Sequence, residues 1–184
     1  MPLTHRSPRG TIAAAIIAGG ALLLTPGMAH ATTPDTAAAH QVAGASLALD
    51  EVENARTVIA VGKGAGISNE GIVIALMTAR QESQFKNYEQ AVDHDSLGIF
   101  QQRPAMGWGS PDQITDPETA AKSFYGVSDV TSNPGLTDID GWEDMAPTEA
   151  AQAVQRSAYP DAYAQWQGWA EDFLDQNAGV APIK

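Results

Sequence analysis

Residues 71–83 read GIVIALMTARQES, and this stretch decides the fold. Its first part, GIVIALMTA, is apolar on every helical face, and a helix without a polar side is buried all round. Ser68 or Asn69 supplies an N-cap, so the pattern predicts a central buried helix running to about Ser83. The composition then turns polar abruptly at Arg80, Gln81, Glu82, Ser83 and Gln84. Glu82 therefore lies about one turn beyond the apolar segment, at the rim of the core. Partial desolvation disfavours its carboxylate form, and the C-terminal end of the helix dipole disfavours it too. Both raise the pKa, which suits a general acid near neutral pH. Position alone equally allows a surface glutamate at a fraying helix end, paired with Arg80 or Lys86.

Working outward, residues 47–61 place Leu49, Val52, Ala55, Val58 and Ile59 at three- and four-residue steps, an amphipathic helix. Gly62, Gly64 and Gly66 then punctuate a turn; GKGAG lacks the spacing of a phosphate loop. Downstream, Asp93-His94-Asp95 is turn chemistry, and residues 96–101 (SLGIFQ) are short and β-prone, which predicts a small β-hairpin element. Pro104, Gly107, Gly109 and Pro111 form a loop around Trp108. Asp116-Pro117-Glu118 opens a helix to about Tyr125, with Asp as cap and Pro at the first position. Residues 127–145 read as a long irregular connection. Helices are expected over 147–157 and 160–174, with Tyr163, Trp166, Ala170, Phe173 and Leu174 facing inward on the second. The fold class is mainly α, with one small β element.

The N-terminal end predicts export. Arg6 and Arg9 precede an apolar run of fourteen residues, 11–24. Pro26 and Gly27 break it, and Ala29-His30-Ala31 supplies a small-x-small cleavage pattern, so residues 1–31 read as a signal peptide. The run is shorter than the ~20 residues that span a bilayer, which favours cleavage over anchoring. Residues 32–46 are Ala-rich and read as a flexible leader, 47–176 as the single folded domain, and 177–184 as a C-terminal tail. The protein is expected to be secreted. The chain of 184 residues has 10 Lys+Arg against 22 Asp+Glu, a net charge of −12, and losing Arg6 and Arg9 takes it to −14. So acidic a chain is repelled by nucleic acid and anionic membranes, so neither is expected as a partner. The absence of cysteine excludes thiol catalysis, thiolate metal sites and disulfides. Beyond the signal only His40 and His94 remain, so carboxylates, amides, hydroxyls and aromatics must carry any chemistry.

Glu82-Ser83, followed after a turn by Leu97-Gly98-Ile99-Phe100-Gln101-Gln102, resembles the catalytic core of lysozyme-like lytic transglycosylases. In that family a Glu-Ser pair ends a buried helix, and a Gly-Leu-Met-Gln-type strand lines the sugar groove opposite. Glu82 falls on the catalytic acid and Ser83 on its neighbour. Gly98, Ile99, Phe100 and Gln101 fall on the Gly-Leu-Met-Gln run. Asp116-Pro117 is similar to the Asn-Pro that opens the next helix, and Tyr159 to the tyrosine of the late Ala-Tyr-Asn motif. The strings DSLGIFQQRPAMGWGSP (95–111) and AAQAVQRSAYPDAYAQW (150–166) resemble secreted actinobacterial members. Asp95-Ser96 stands where better-known branches have Gly-Ala, and Pro160 where they have Asn.

The resemblance implies an α+β lysozyme-like fold, no cofactor, and cleavage of the β-1,4 bond between N-acetylmuramic acid and N-acetylglucosamine in peptidoglycan. A single acid suffices if the muramoyl C6 hydroxyl attacks internally, giving a 1,6-anhydro product. A hydrolytic lysozyme instead uses water and usually a second carboxylate, for which Asp95 and Asp93 are candidates. Ser83, Asp95, Gln101, Trp108 and Tyr159 are the expected substrate contacts. Gln101 and Gln102 alternate sides if the segment is a strand, and the resemblance chooses Gln101. Trp142, Trp166 and Trp169 read as core. Asp138-Ile139-Asp140-Gly141 suggests a calcium loop, but Leu136 and Pro147 fall on ligand positions, so no metal is expected. Competing functions are a non-catalytic sugar-binding module on the same scaffold and a secreted inhibitor, the latter supported only by the acidic surface.

Overall fold

The computed structural model describes residues 46–91 and 93–184. The expected signal peptide (1–31) and all but the last residue of the leader lie outside the described residues. The chain is mainly helical: α1 (Leu49–Gly64), α2 (Asn69–Ser83), α3 (Pro111–Ile114), α4 (Pro117–Tyr125), α5 (Pro147–Gln155) and α6 (Gln167–Gln176), joined by short 3-10 turns. No described helix is long and apolar enough to cross a membrane.

Helix α2 is the centre, packed against α1, α4, α5 and α6. Ser68 caps it, accepting from the Gly71 N–H, and every residue from Gly71 to Arg80 is buried. Ile72, Val73 and Ile74 are β-branched, costing up to ~0.7 kcal/mol each as helix formers. Full burial of Ile72, Ile74, Leu76 and Met77 offsets this, at roughly 1.5–3 kcal/mol per side chain. Thr78, also buried, returns its hydroxyl to the Ile74 carbonyl at 2.6 Å. The Arg80 guanidinium lies 5.1 Å from the Trp166 ring and 4.8 Å from that of Trp169. Two consecutive left-handed residues, Gln84 (φ 57°) and Phe85 (φ 65°), end α2 and reverse the chain. Phe85 is thereby driven into the core beside Trp169, with ring centroids 5.6 Å apart.

The expected β-hairpin is absent. Among the described residues there is no strand, only one antiparallel bridge between Leu97 and Gln102. Gly98 (φ 68°) and Gln101 (φ 49°) both turn the backbone left-handed, and Ile99 and Phe100 are both fully buried. Strand neighbours must point to opposite faces; here both enter the core, so the segment is a tight turn. Phe100 stacks on Phe124 of α4 at 4.7 Å. A side chain at Gly98 would stand 2.2 Å from the Ile114 carbonyl oxygen, so only glycine fits.

The helix from Asp116 forms as the sequence implies, with the Asp116 carboxylate accepting from the Thr119 N–H. The last helix begins later than expected, at Gln167 rather than near 160, because residues 160–166 are spent on turns. The connection 127–145 contains 3-10 turns at Leu136–Asp138 and Trp142–Asp144. The C-terminal segment is part of the fold. The Ile183 N–H donates to the Ala60 carbonyl at 2.9 Å, and the Lys63 ammonium donates to the carbonyls of Ala178 and Val180. Hydrophobic Val180 and Ile183, half-buried against α1, explain why the chain docks there.

Candidate active site

The last turn of α2 is anchored through three consecutive residues to three other places. The Gln81 amide oxygen accepts from the Trp166 indole N–H at 2.8 Å. Glu82 Oε1 accepts from the Tyr163 hydroxyl at 2.7 Å. The buried Ser83 hydroxyl donates to the Ile99 carbonyl at 2.7 Å, fastening the 97–102 turn to the helix end.

Glu82 is half-buried, and burial pushes its pKa up, while hydrogen bonds from Tyr163 and Gln155 partly pull it back. Desolvation is the largest of these effects, so the neutral acid is favoured above the ordinary carboxylate range. Tyr163 is fully buried; burial first and the Glu82 charge second push its phenol far up, so it stays protonated and donates to Glu82. Gln155, the last residue of α5, is oriented by donating its amide to the Phe100 carbonyl at 2.9 Å. The acid therefore sits between two fixed donors that stabilise its charge whenever it gives up the proton.

Glu82 opens onto a cleft of about 280 Å³, near the ~300 Å³ lower bound of typical ligand clefts. One side is built by Gln101, Arg103 and Trp108, the other by Gln155 and Arg156. Gln101 donates its amide N–H to the Gly98 carbonyl at 3.0 Å, which leaves its amide oxygen to accept from a ligand. Trp108, half-buried against the core, offers a flat apolar wall. Among the described residues, Glu82 is the only acidic side chain lining the cleft.

The structure brings Glu82, Gln101 and Trp108 together and separates the other expected contacts. Ser83 faces the protein interior, joins backbone segments and does not line the cleft. Asp95 is outside the cleft wall: its carboxylate accepts from the Ala105 N–H and from Arg103, which hold its pKa below the ordinary value. Asp95 thus positions Arg103 and is committed to the protein. Asp93 pairs with His94 on the surface, its side chain 80% exposed. Tyr159 is 75% exposed and does not line the cleft; the hydroxyl at Glu82 comes from Tyr163, four residues later. Periodicity puts Tyr163 on the inward face, and a buried phenol needs a hydrogen-bond partner; that requirement is the available signal. Gln155 carried none, because its role depends on where α5 ends. Asp138 accepts from the Gly135 N–H at 2.9 Å and so shapes a turn. Among the described residues, no group of three or more His, Asp or Glu side chains is placed to hold a metal ion.

No family model matches the chain, and no curated protein matches it.

Proposed function

We propose that this protein is a secreted peptidoglycan-cleaving enzyme on a lysozyme-like helical domain, acting as a lytic transglycosylase with Glu82 as its one catalytic residue. The observation that carries the proposal is the half-buried Glu82 carboxyl, held by Tyr163 and Gln155 in a cleft whose described lining contains no second carboxylate. Tyr163 occupies Oε1, so the acidic proton belongs on Oε2. Glu82 gives that proton to the glycosidic oxygen as the bond from muramoyl C1 breaks. The C6 hydroxyl of the same muramoyl residue attacks C1, and its proton returns to the Glu82 carboxylate. One C–O bond is lost, one forms within the sugar, water is not consumed and the acid is regenerated. Gln101 supplies an acceptor for hydroxyl or acetamido N–H groups, and Trp108 a face for a sugar ring. The engaged state of Asp95 favours this single-acid route over hydrolysis with Asp95 as the second group.

Glu82→Gln keeps the shape and still accepts from Tyr163, but has no proton of comparable acidity. It should reduce release of soluble muropeptides from purified peptidoglycan by at least about 100-fold with an unchanged circular dichroism spectrum. Mass spectrometry of wild-type products should show muramoyl ends lighter by one water. Reducing ends would establish hydrolysis instead, and no products from the wild type would leave a sugar-binding module.

A further inference from the structure

The cleft holds two arginines, Arg103 and Arg156, in a chain with a net charge of −12. Cations are scarce in this protein, and most are committed elsewhere. Arg56 pairs with Glu53, Lys122 with Glu118, Lys63 with C-terminal carbonyls, and Lys86 lies over the Tyr88 ring. Arg80 is buried between two indoles. Arg156 differs. It is exposed at the mouth of the cleft and makes no ion pair or side-chain hydrogen bond among the described residues. It also occupies the residue after α5 in the left-handed conformation (φ 52°), a position where glycine is free of strain and an arginine is not. Among the described residues Arg103 is held by Asp95 at Nε alone, which orients the guanidinium and leaves its terminal nitrogens without a protein partner there. Both come from the same short segments that present Gln101 and Gln155. Neither governs the Glu82 proton, which responds to burial, Tyr163 and Gln155.

We infer that Arg103 and Arg156 form an anion subsite beside Glu82 that takes a carboxylate carried by the muramoyl residue. The inference rests on the proposed substrate class and deepens it. A neutral chain of N-acetylglucosamine offers nothing to two guanidinium groups. A muramoyl unit carries a carboxylate either on its lactyl ether or further out on an attached peptide stem, and guanidinium pairs carboxylates with directed, charge-assisted hydrogen bonds. The subsite would select muramoyl-containing strands over chitin-like ones and fix which sugar lies across the acid.

The test is equilibrium binding to the wild-type protein of the disaccharide N-acetylglucosaminyl-β-1,4-N-acetylmuramic acid, with chitobiose as the neutral control. This disaccharide lacks the muramoyl–glucosaminyl bond, so binding is read without turnover. The anionic sugar should bind about tenfold more tightly at low ionic strength, and the preference should shrink as salt is raised. Arg156→Gly removes the guanidinium and relieves the left-handed backbone, so it should melt no lower than wild type while losing most of the preference. A third ligand, whose lactyl carboxyl is joined to L-alanyl-D-glutamate, separates the two sources: tighter binding of one ligand assigns the carboxylate to the lactyl group or to the stem. Equal affinity for chitobiose and both anionic ligands, or a preference that survives in Arg156→Gly, would overturn the subsite. A carboxylate preference without strand cleavage would sink the catalytic reading alone, and cleavage without preference would sink only the subsite.

Discussion

Tyr163→Phe isolates the group that tunes the acid. Phenylalanine fills the same fully buried space, so packing is kept and only the hydroxyl at 2.7 Å from Glu82 Oε1 is lost. A hydrogen bond to a charged acceptor is worth about 1.5–3 kcal/mol. Because Tyr163 favours the charged form of Glu82, its removal should raise an already elevated pKa further. Two consequences are measurable. In the proposed muropeptide release the alkaline limb, where the acid loses its proton, should move to higher pH. The plateau rate should fall about 10- to 100-fold, since the carboxylate formed in the transition state loses a donor. Stability follows the same sign. Glu82 binds its proton more tightly folded than unfolded, so its contribution is present below the unfolded carboxylate pKa and is lost as pH rises through the folded one. The variant widens that window upward, so urea unfolding should show its deficit growing from pH 4 to pH 8. An unmoved alkaline limb with a rate within about twofold of wild type would refute the role given to Tyr163.

Other substitutions check the rest of the site. Tyr159→Ala, at an exposed position away from the cleft, should change stability by no more than about 0.5 kcal/mol and leave the release rate intact; a collapse in rate would return Tyr159 to the site. Ser83→Ala leaves the buried Ile99 carbonyl without its donor and should cost about 1–3 kcal/mol in denaturant unfolding; no loss would mean the turn is held otherwise. Asp95→Asn releases Arg103 and weakens the Ala105 contact, yet should still yield anhydro products by mass spectrometry. Abolished cleavage in a folded Asp95→Asn protein would bring a second carboxylate into the mechanism.

The central helix was legible because GIVIALMTA leaves a helix no solvent face, and the structure buries all of residues 71–80. The Asp116-Pro117 start was legible because capping is local chemistry. The 97–102 turn was not. Its residues suit a strand, and what makes it a turn is that Ile99 and Phe100 both find room in the core, with Gly98 pressed against Ile114. The choice between Tyr159 and Tyr163 was likewise not local: it depends on how residues 156–166 return across the end of α2, and that path is set by packing. The C-terminal segment read as a tail because eight residues interrupted by Gly179 and Pro182 give no helical or strand pattern, although Ile183 has a defined seat on α1.

The three anchors on Gln81, Glu82 and Ser83 reach residues 85, 81 and 16 positions further along the chain. Two of those links span nearly half the sequence, and closing loops of that length costs chain entropy that the docked fold must offset. Until the last third of the polypeptide has docked, Glu82 is an ordinary solvated carboxylate, ionised at neutral pH and a poor proton donor. If Glu82 is the proton donor proposed above, an emerging or partly unfolded chain is chemically silent, and competence arrives only with the closure of these long-range contacts.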